Sequence, residues 1–88
     1  MKARDGFVLR NIMDDHILVP VGSRIKDFRG TIVMNELSAF IWEKLQKSVT
    51  EAELLSDILD EYDIDEATAK RDLTALLEKL RDFEVLED

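Results

Sequence analysis

The 88-residue sequence predicts one α+β domain, in which a three-stranded antiparallel sheet is followed by a three-helix bundle. Residues 1–34 contain short runs rich in β-branched and aromatic side chains, whereas the later residues repeat apolar side chains at helical spacing. Strands that all precede the helices are typical of an antiparallel sheet with helices on one face. A chain of this length can bury a single small core.

The first two strands are predicted at about residues 6–12 and 16–21, as a hairpin. Both runs, FVLRNI and HILVPV, contain residues that favour strands, and the polar tripeptide at 13–15 has the length of a hairpin loop. Pro20 has no N–H for a ladder, which places it near the end of its strand or on an unpaired side. The connection over residues 22–30 has no pattern that decides its structure.

A short third strand is predicted at residues 31–34, where TIVM leads directly into a helix at about 36–47. Asn35 is suited to cap that helix, because its side chain can accept a hydrogen bond from a first-turn N–H. The apolar stripe of the helix follows the i, i+3, i+4, i+8 spacing. Its members are Leu37, Phe40, Ile41 and Leu45.

Two further helices are predicted at about residues 51–62 and 66–82. Thr50 and Glu53 match a capping box, and Asp65 is suited to cap the last helix. The second helix has an apolar stripe of Leu54, Leu55, Ile58, Leu59 and Tyr62, and the third has Ala69, Leu73, Leu76, Leu80 and Phe83. The tail after the third helix is expected to add a short extended piece or to fray.

Composition and charge exclude several classes of protein. The chain is 45% hydrophobic and 36% charged, which is too apolar for disorder and too charged for a membrane span. Its start lacks the apolar run of a secretory signal, and it contains no cysteine, so a cytoplasmic protein without disulfides is expected. A net charge of −8 repels phosphate backbones and favours a protein or peptide partner.

The sequence lacks the residue patterns of a catalytic or metal site. It has one histidine and no cysteine, and its three glycines stand apart, so no nucleophile with a base and no phosphate loop is indicated. His16 is interpreted as a solvated strand residue. The acidic stretch at 60–66 lacks the glycine and the ligand spacing of a calcium loop. An enzyme and a bound cofactor are therefore not expected.

Two non-enzymatic alternatives remain at this point. A small sheet with three helices also describes DNA-binding winged helices, and the third helix carries Lys70, Arg71, Lys79 and Arg81. The same helix carries Glu66, Asp72, Glu78 and Asp82, and mixed charges usually mark a solvated face. A docking or assembly protein without a peptide groove is the second alternative.

Four segments spread over almost the whole chain resemble the PqqD-like family, also called the RiPP recognition element. They are FVLR at 7–10, VPVG at 19–22, GTIVMNELSAFIW at 30–42 and EYDID at 61–65. The most specific feature is Asn35 followed by an acidic residue and then by the run AFIW at 39–42.

The resemblance implies a winged-helix-like fold that does not bind DNA. It implies a protein that captures the leader segment of a ribosomally made precursor peptide and hands it to a modifying enzyme, often a radical S-adenosylmethionine protein. The leader would add as an extra strand beside the third strand, in the groove between that strand and the third helix. An unpaired strand edge offers N–H and C=O groups to an extended peptide.

Residues on two elements are accordingly predicted to bind the peptide. On the third strand they are Thr31, Ile32, Val33 and Met34, and on the third helix they are Lys70, Thr74, Leu77 and Arg81. Lys70 and Arg81 would favour acidic leader residues. Trp42 is predicted to be a core or core-edge aromatic and not a peptide contact. Self-association stays open, because an exposed strand edge can also pair with its own copy.

Overall fold

The computed structural model of the protein describes residues 1–26, 28 and 30–88. The strands in chain order are β1 (Lys2–Ala3), β2 (Phe7–Ile12), β3 (Asp15–Pro20), β4 (Ile32–Met34) and β5 (Leu86–Glu87). The helices are α1 (Glu36–Lys44), α2 (Glu51–Glu61) and α3 (Glu66–Asp82). An antiparallel sheet in the order β2-β3-β4 precedes the three helices, which confirms the predicted α+β fold.

The hairpin between β2 and β3 is tighter than predicted. Ile12 pairs with Asp15, so the loop consists of Met13 and Asp14 alone, and β3 begins at Asp15. Met13 is fully exposed and has a φ of 58°, a left-handed conformation that a two-residue hairpin loop commonly requires. The hairpin therefore carries two acidic residues, Asp14 and Asp15, at its tip.

The register of the sheet separates an inner from an outer face. Leu18 lies opposite both Leu9 and Ile32, and Leu18 and Ile32 are buried against the helices. Because side chains alternate along a strand, Ile17 and Val33, which also pair with each other, point to the outer face. The outer face is therefore partly apolar as well.

A second, two-stranded sheet joins the two ends of the chain, and the sequence did not predict it. Lys2 pairs with Glu87, and Ala3 pairs with Leu86. Ala3 and Leu86 are both buried. The tail after α3 is thus extended, one of the two outcomes that were expected for it. Strands of two residues show no periodicity, so only the tertiary structure identifies them.

The same N-terminal segment ends α1 earlier than predicted. Ala3 donates its N–H to the carbonyl of Leu45 over 2.8 Å, and Val49 donates its N–H to the carbonyl of Met1 over 2.9 Å. In a longer helix the Leu45 carbonyl would accept from the Val49 N–H. Because the N-terminal segment takes both groups, α1 ends at Lys44 and not near residue 47.

The helix starts follow the predicted capping residues. The Asn35 side chain accepts a hydrogen bond from the Ser38 N–H at 2.8 Å, and Asp65 accepts from the Thr68 N–H at 3.4 Å. Thr50 and Glu53 form the reciprocal capping box. Each cap satisfies backbone donors that would otherwise have no partner in the first turn.

The connection between β3 and β4 contains a short 3-10 helix, Gly22–Lys26, and Asp27 and Arg29 of this connection lie outside the described residues. Phe28 packs against Phe7 and Phe83, with ring centroids 5.2 and 5.9 Å apart. These contacts place the C-terminal end of α3 next to the residues that enter β4. The contacts of Phe28 therefore determine the direction in which α3 runs relative to β4.

Candidate functional site

β4 is an edge strand of the sheet. It pairs with β3 through Ile32, Val33 and Met34, and no strand pairs with its other edge anywhere in residues 1–26, 28 and 30–88. We refer to this side of Ile32–Met34 as the open edge. Ile32 is 0% exposed and Met34 is also buried, whereas Val33 is 56% exposed. The side chains of β4 thus hold the strand in the core while its backbone is available along the open edge.

Thr31, the first residue predicted to bind on this segment, is exposed and precedes the strand. The structure therefore brings three of the four predicted β4 residues to one edge, and places Thr31 at its entry. Their contact with a peptide stays a prediction. The two roles do not compete, because side-chain packing and edge hydrogen bonding use different atoms of the strand.

A groove of about 880 Å³ lies between β4 and α3. Its walls come from the β2–β3 hairpin, from β4, from the first turn of α1 and from one face of α3. The residues of α3 that line it are Asp72, Ala75, Leu76 and Lys79. The floor is apolar, because the lining side chains of Met34, Ile41 and Leu76 are buried and Leu37 is half-buried.

The groove has two chemically different ends. Phe83 packs on Phe28 and lies 3.7 Å from the position of a Cβ at Gly30, so the C-terminal end of α3 is beside the start of β4. Lys79, one turn before Phe83, therefore lies toward the Gly30 end. Asp72, about two turns earlier along α3, lies toward the Met34 end, where the hairpin tip is.

The helix stripe predicted from the sequence does not line this groove. Lys70 and Thr74 are exposed on the outer side of α3, where they border a shallow depression together with Arg71 and Glu78. Leu77 is 0% exposed and belongs to the core, so the prediction that it borders the groove is wrong. Contact of Lys70 and Thr74 with a peptide stays a prediction, but for a surface other than the groove.

Two packing partners explain the burial of Leu77. α3 packs against α2 and also against β5, so its buried face is wider than a single stripe. Ala69, Leu73, Leu76 and Leu80 are buried as predicted, and Leu77 is added to them. The face that borders the groove consequently lies on the Asp72 and Lys79 side of the buried leucines and not on the Lys70 side.

Arg81 forms an ion pair with Asp88, near the C-terminus of the chain. Its Nη2 donates to Oδ1 of Asp88 over 2.9 Å, and its Nε lies 3.2 Å from both carboxylate oxygens. This bidentate pair lowers the pKa of Asp88 below its usual value and raises the pKa of Arg81. Both side chains are well exposed, so the pair contributes little to stability. Peptide contact by Arg81 stays a prediction.

His16 lines the groove, contrary to its interpretation as a solvated strand residue. It is half-buried on the inner face, opposite Met34 on one side and Asn11 on the other, and it is not a solvated strand residue. Its Nδ1 atom is shielded from solvent and has no hydrogen-bond partner in the described structure. The period-two relation to Leu18 would have placed it on the inner face.

Trp42 is 3% exposed and belongs to the core, which confirms the predicted core aromatic.

Within residues 1–26, 28 and 30–88, no group of three His, Cys, Asp or Glu side chains is arranged to hold a metal ion. None of the helices in this part of the chain is long and apolar enough to span a membrane.

The sequence model described as "Coenzyme PQQ synthesis protein D (PqqD)" matches residues 15–86, which include the hairpin, β4 and all three helices. The chain belongs to the PqqD family. The family resemblance seen in the sequence is thereby confirmed. No curated protein matches this PqqD family member.

Two solved structures share the fold of this PqqD family member. TbiB1, in complex with the TbiA(beta) leader peptide, is 28% identical with a TM-score of 0.74, and the alignment covers 99% of this chain and 95% of TbiB1. Lasso peptide synthetase B1, complexed with the leader peptide, is 20% identical with a TM-score of 0.68. That alignment covers 92% of this chain and 89% of the synthetase chain.

Proposed function

We propose that this protein binds the leader segment of a ribosomally made precursor peptide along the open edge of β4 and presents it to a modifying enzyme. The observation that carries the proposal is the open edge beside an apolar-floored groove. Support comes from TbiB1, which is similar over nearly its whole length and is described in complex with a leader peptide. Residues 1–88 act as a single binding domain in this proposal.

Backbone pairing alone does not give useful affinity at a strand this short. About three hydrogen bonds would contribute roughly 1.5–4.5 kcal/mol. That sum corresponds to a dissociation constant of about 0.5 mM or weaker. The side chains of the groove must therefore supply the remaining affinity, and they also determine which sequence binds. The floor formed by Met34, Leu37 and Leu76 accepts an apolar side chain of the peptide.

The protein acts in this proposal without chemistry of its own and without a cofactor. In this proposal the groove is a binding surface, and within the described residues the Nδ1 atom of His16 has no hydrogen-bond partner that could act with it in catalysis. The modifying enzyme, in many such systems a radical S-adenosylmethionine protein, supplies the chemistry. Capture and modification take place in the cytoplasm, where the precursor peptide is synthesised.

The charges and the strand pairing of the described residues favour neither alternative function. The exposed side of α3 that carries Lys70 and Arg71 also carries Glu78, and the net charge of the chain is −8, which disfavours a phosphate backbone. In a docking protein without a peptide groove, the open edge of β4 would be expected to be covered. That edge has no strand partner in the described residues.

The test is a titration of the ¹⁵N-labelled protein with leader peptides of precursors encoded beside its gene. The expected result is a set of amide shifts concentrated at residues 31–34 and along Asp72 to Lys79. A matched peptide of the same composition in scrambled order is the control. Shifts confined to other surfaces, or no shifts with a folded protein, would contradict the proposal.

A further inference from the structure

The charges around the groove indicate what kind of leader it accepts. We propose that the bound segment carries a Lys or Arg residue where it passes the β2–β3 hairpin, next to an apolar residue on the floor. This inference rests on the proposed function, because it describes the selectivity of the same groove. The site itself is defined by the open edge and the apolar floor, and the carboxylates determine the preferred charge.

Acidic residues from three elements line the Met34 end of the groove. Asp14 and Asp15 come from the hairpin, Glu36 from the first turn of α1 and Asp72 from α3. Lys79 is the one ammonium group among the lining residues, and it lies toward the other end. Among the described lining residues, four are therefore acidic and one is a lysine, and the acidic residues are concentrated at one end.

Little within the described part of the chain neutralises these carboxylates. Arg71 lies 3.5 Å from Asp72, but both side chains are well exposed, so this pair is weak. Asp14, Asp15 and Glu36 form no ion pair with the described residues. The N-terminus of α1 adds about half a positive charge beside Asn35. That partial charge offsets only part of the negative charge of Glu36.

Strand geometry sets the spacing of the two recognised peptide residues. In an extended peptide, side chains two residues apart point the same way and are separated by about 6.6 Å. If one peptide side chain lies on the floor between Met34 and Leu76, the side chain two positions before or after it lies near the acidic residues of the hairpin. The two features together would orient the peptide, because Lys79 disfavours a cation at the opposite end.

This inference reverses the charge preference expected from the sequence. Lys70 and Arg81 predicted a leader with acidic residues, but Lys70 is on the outer side of α3 and Arg81 is paired with Asp88. The acidic residues that line the groove instead predict a leader with basic residues. A direct measurement of the preferred peptide charge separates the two expectations.

The experiment uses a display library of random 12-residue peptides selected on the immobilised full chain at low salt. Selected peptides are synthesised and titrated against the labelled protein. The expected peptides shift the amides of residues 31–34 and contain more Lys and Arg than the unselected library. Replacement of the basic residue by Ala should weaken binding about one and a half- to fivefold at low salt, and less at high salt.

The net charge of −8 attracts any cationic peptide, so a matched pair of variants is needed. Asp15→Asn/Asp72→Asn removes two carboxylates from the groove. Asp60→Asn/Asp63→Asn removes two exposed carboxylates that do not line it. The first variant should select peptides without the excess of basic residues, and the second should retain it.

The outcomes separate this inference from the proposed function. Peptides that shift residues 31–34 but carry no excess of Lys and Arg would overturn the inference and leave the proposed function intact. An equal loss of the excess in both variants would also overturn it, because the general field would then be the cause. Selected peptides that shift only other surfaces, or an absence of binders to the folded protein, would contradict the proposed function and the inference together.

Discussion

Leu18 and Ile32 are direct partners across β3 and β4, and both are buried on the inner face of the sheet. This pair holds an edge strand of three residues in place, although hydrogen bonds support the strand on one side only. A shift of register by one residue would expose Ile32 and bury Val33 in its place. The buried pair therefore fixes the position of the open edge that the proposed function uses.

The two neighbouring residues of β4 should respond differently to truncation. Ile32→Ala removes buried methyl groups and leaves a cavity, so the free energy of unfolding should fall by about 2–5 kcal/mol. Val33→Ala, on the exposed outer face, is the matched control and should change it by less than about 1 kcal/mol. Urea denaturation followed by Trp42 fluorescence measures both. Equal losses would mean that the register of β4 is not the one described.

Acid should destabilise the protein partly through its helix caps. Hydrogen bonds from Thr50 lower the pKa of Glu53, and those from Thr68 lower the pKa of Asp65. Groups whose pKa is lower in the folded state contribute stability at pH values above their ordinary pKa of about 4. That contribution is lost as the pH falls through the lower, folded-state pKa.

When the pH falls from 6 to below the ordinary carboxyl pKa of about 4, the free energy of unfolding should therefore decrease less for the variant Glu53→Gln/Asp65→Asn than for the parent protein. Thermal unfolding at a series of pH values measures the difference. Asp60→Asn/Glu61→Gln, which changes the net charge equally outside the caps, is the control. A flatter pH dependence in the control than in the cap variant would contradict the assignment of the effect to the caps.

The features that the sequence predicted correctly are those determined by local contacts. Asn35, Thr50 and Asp65 cap their helices through hydrogen bonds to residues three positions later, and such bonds depend on nearby residues alone. The strand and helix order follows from hydrophobic periodicity in the same way. These elements were therefore accessible from the residues alone, whereas the open edge at β4 was expected only because of the family resemblance.

The features that it missed depend on packing between distant segments. The pairing of Ala3 with Leu86 joins the two ends of the chain. The rotation of α3 could not be chosen from the sequence, because Leu76 and Leu77 are adjacent and both apolar. Packing by α2 and β5 buries both, and this rotation brings Asp72 and Lys79, and not Lys70, to the groove.

The rotation of α3 can be tested by adding bulk at adjacent exposed positions. Ala75 lines the groove, whereas Thr74, the next residue back along α3, does not. Ala75→Trp should weaken binding of a leader peptide at least tenfold by filling space beside β4, and Thr74→Trp should change it less than about twofold. Fluorescence anisotropy of a labelled leader peptide measures both. Weakening by Thr74→Trp alone would support the helix stripe predicted from the sequence.

Strand addition at the open edge predicts a periodic effect of peptide N-methylation. In an antiparallel or parallel ladder, alternate N–H groups of the peptide point toward β4 and the others point away. Methylation of each N–H in turn should weaken binding at every second position by about 0.5–1.5 kcal/mol per lost hydrogen bond, and more where the methyl group clashes with β4. The positions between them are the internal controls. A loss that is uniform along the peptide would mean that side chains alone hold the peptide and that the backbone of Ile32–Met34 does not pair with it.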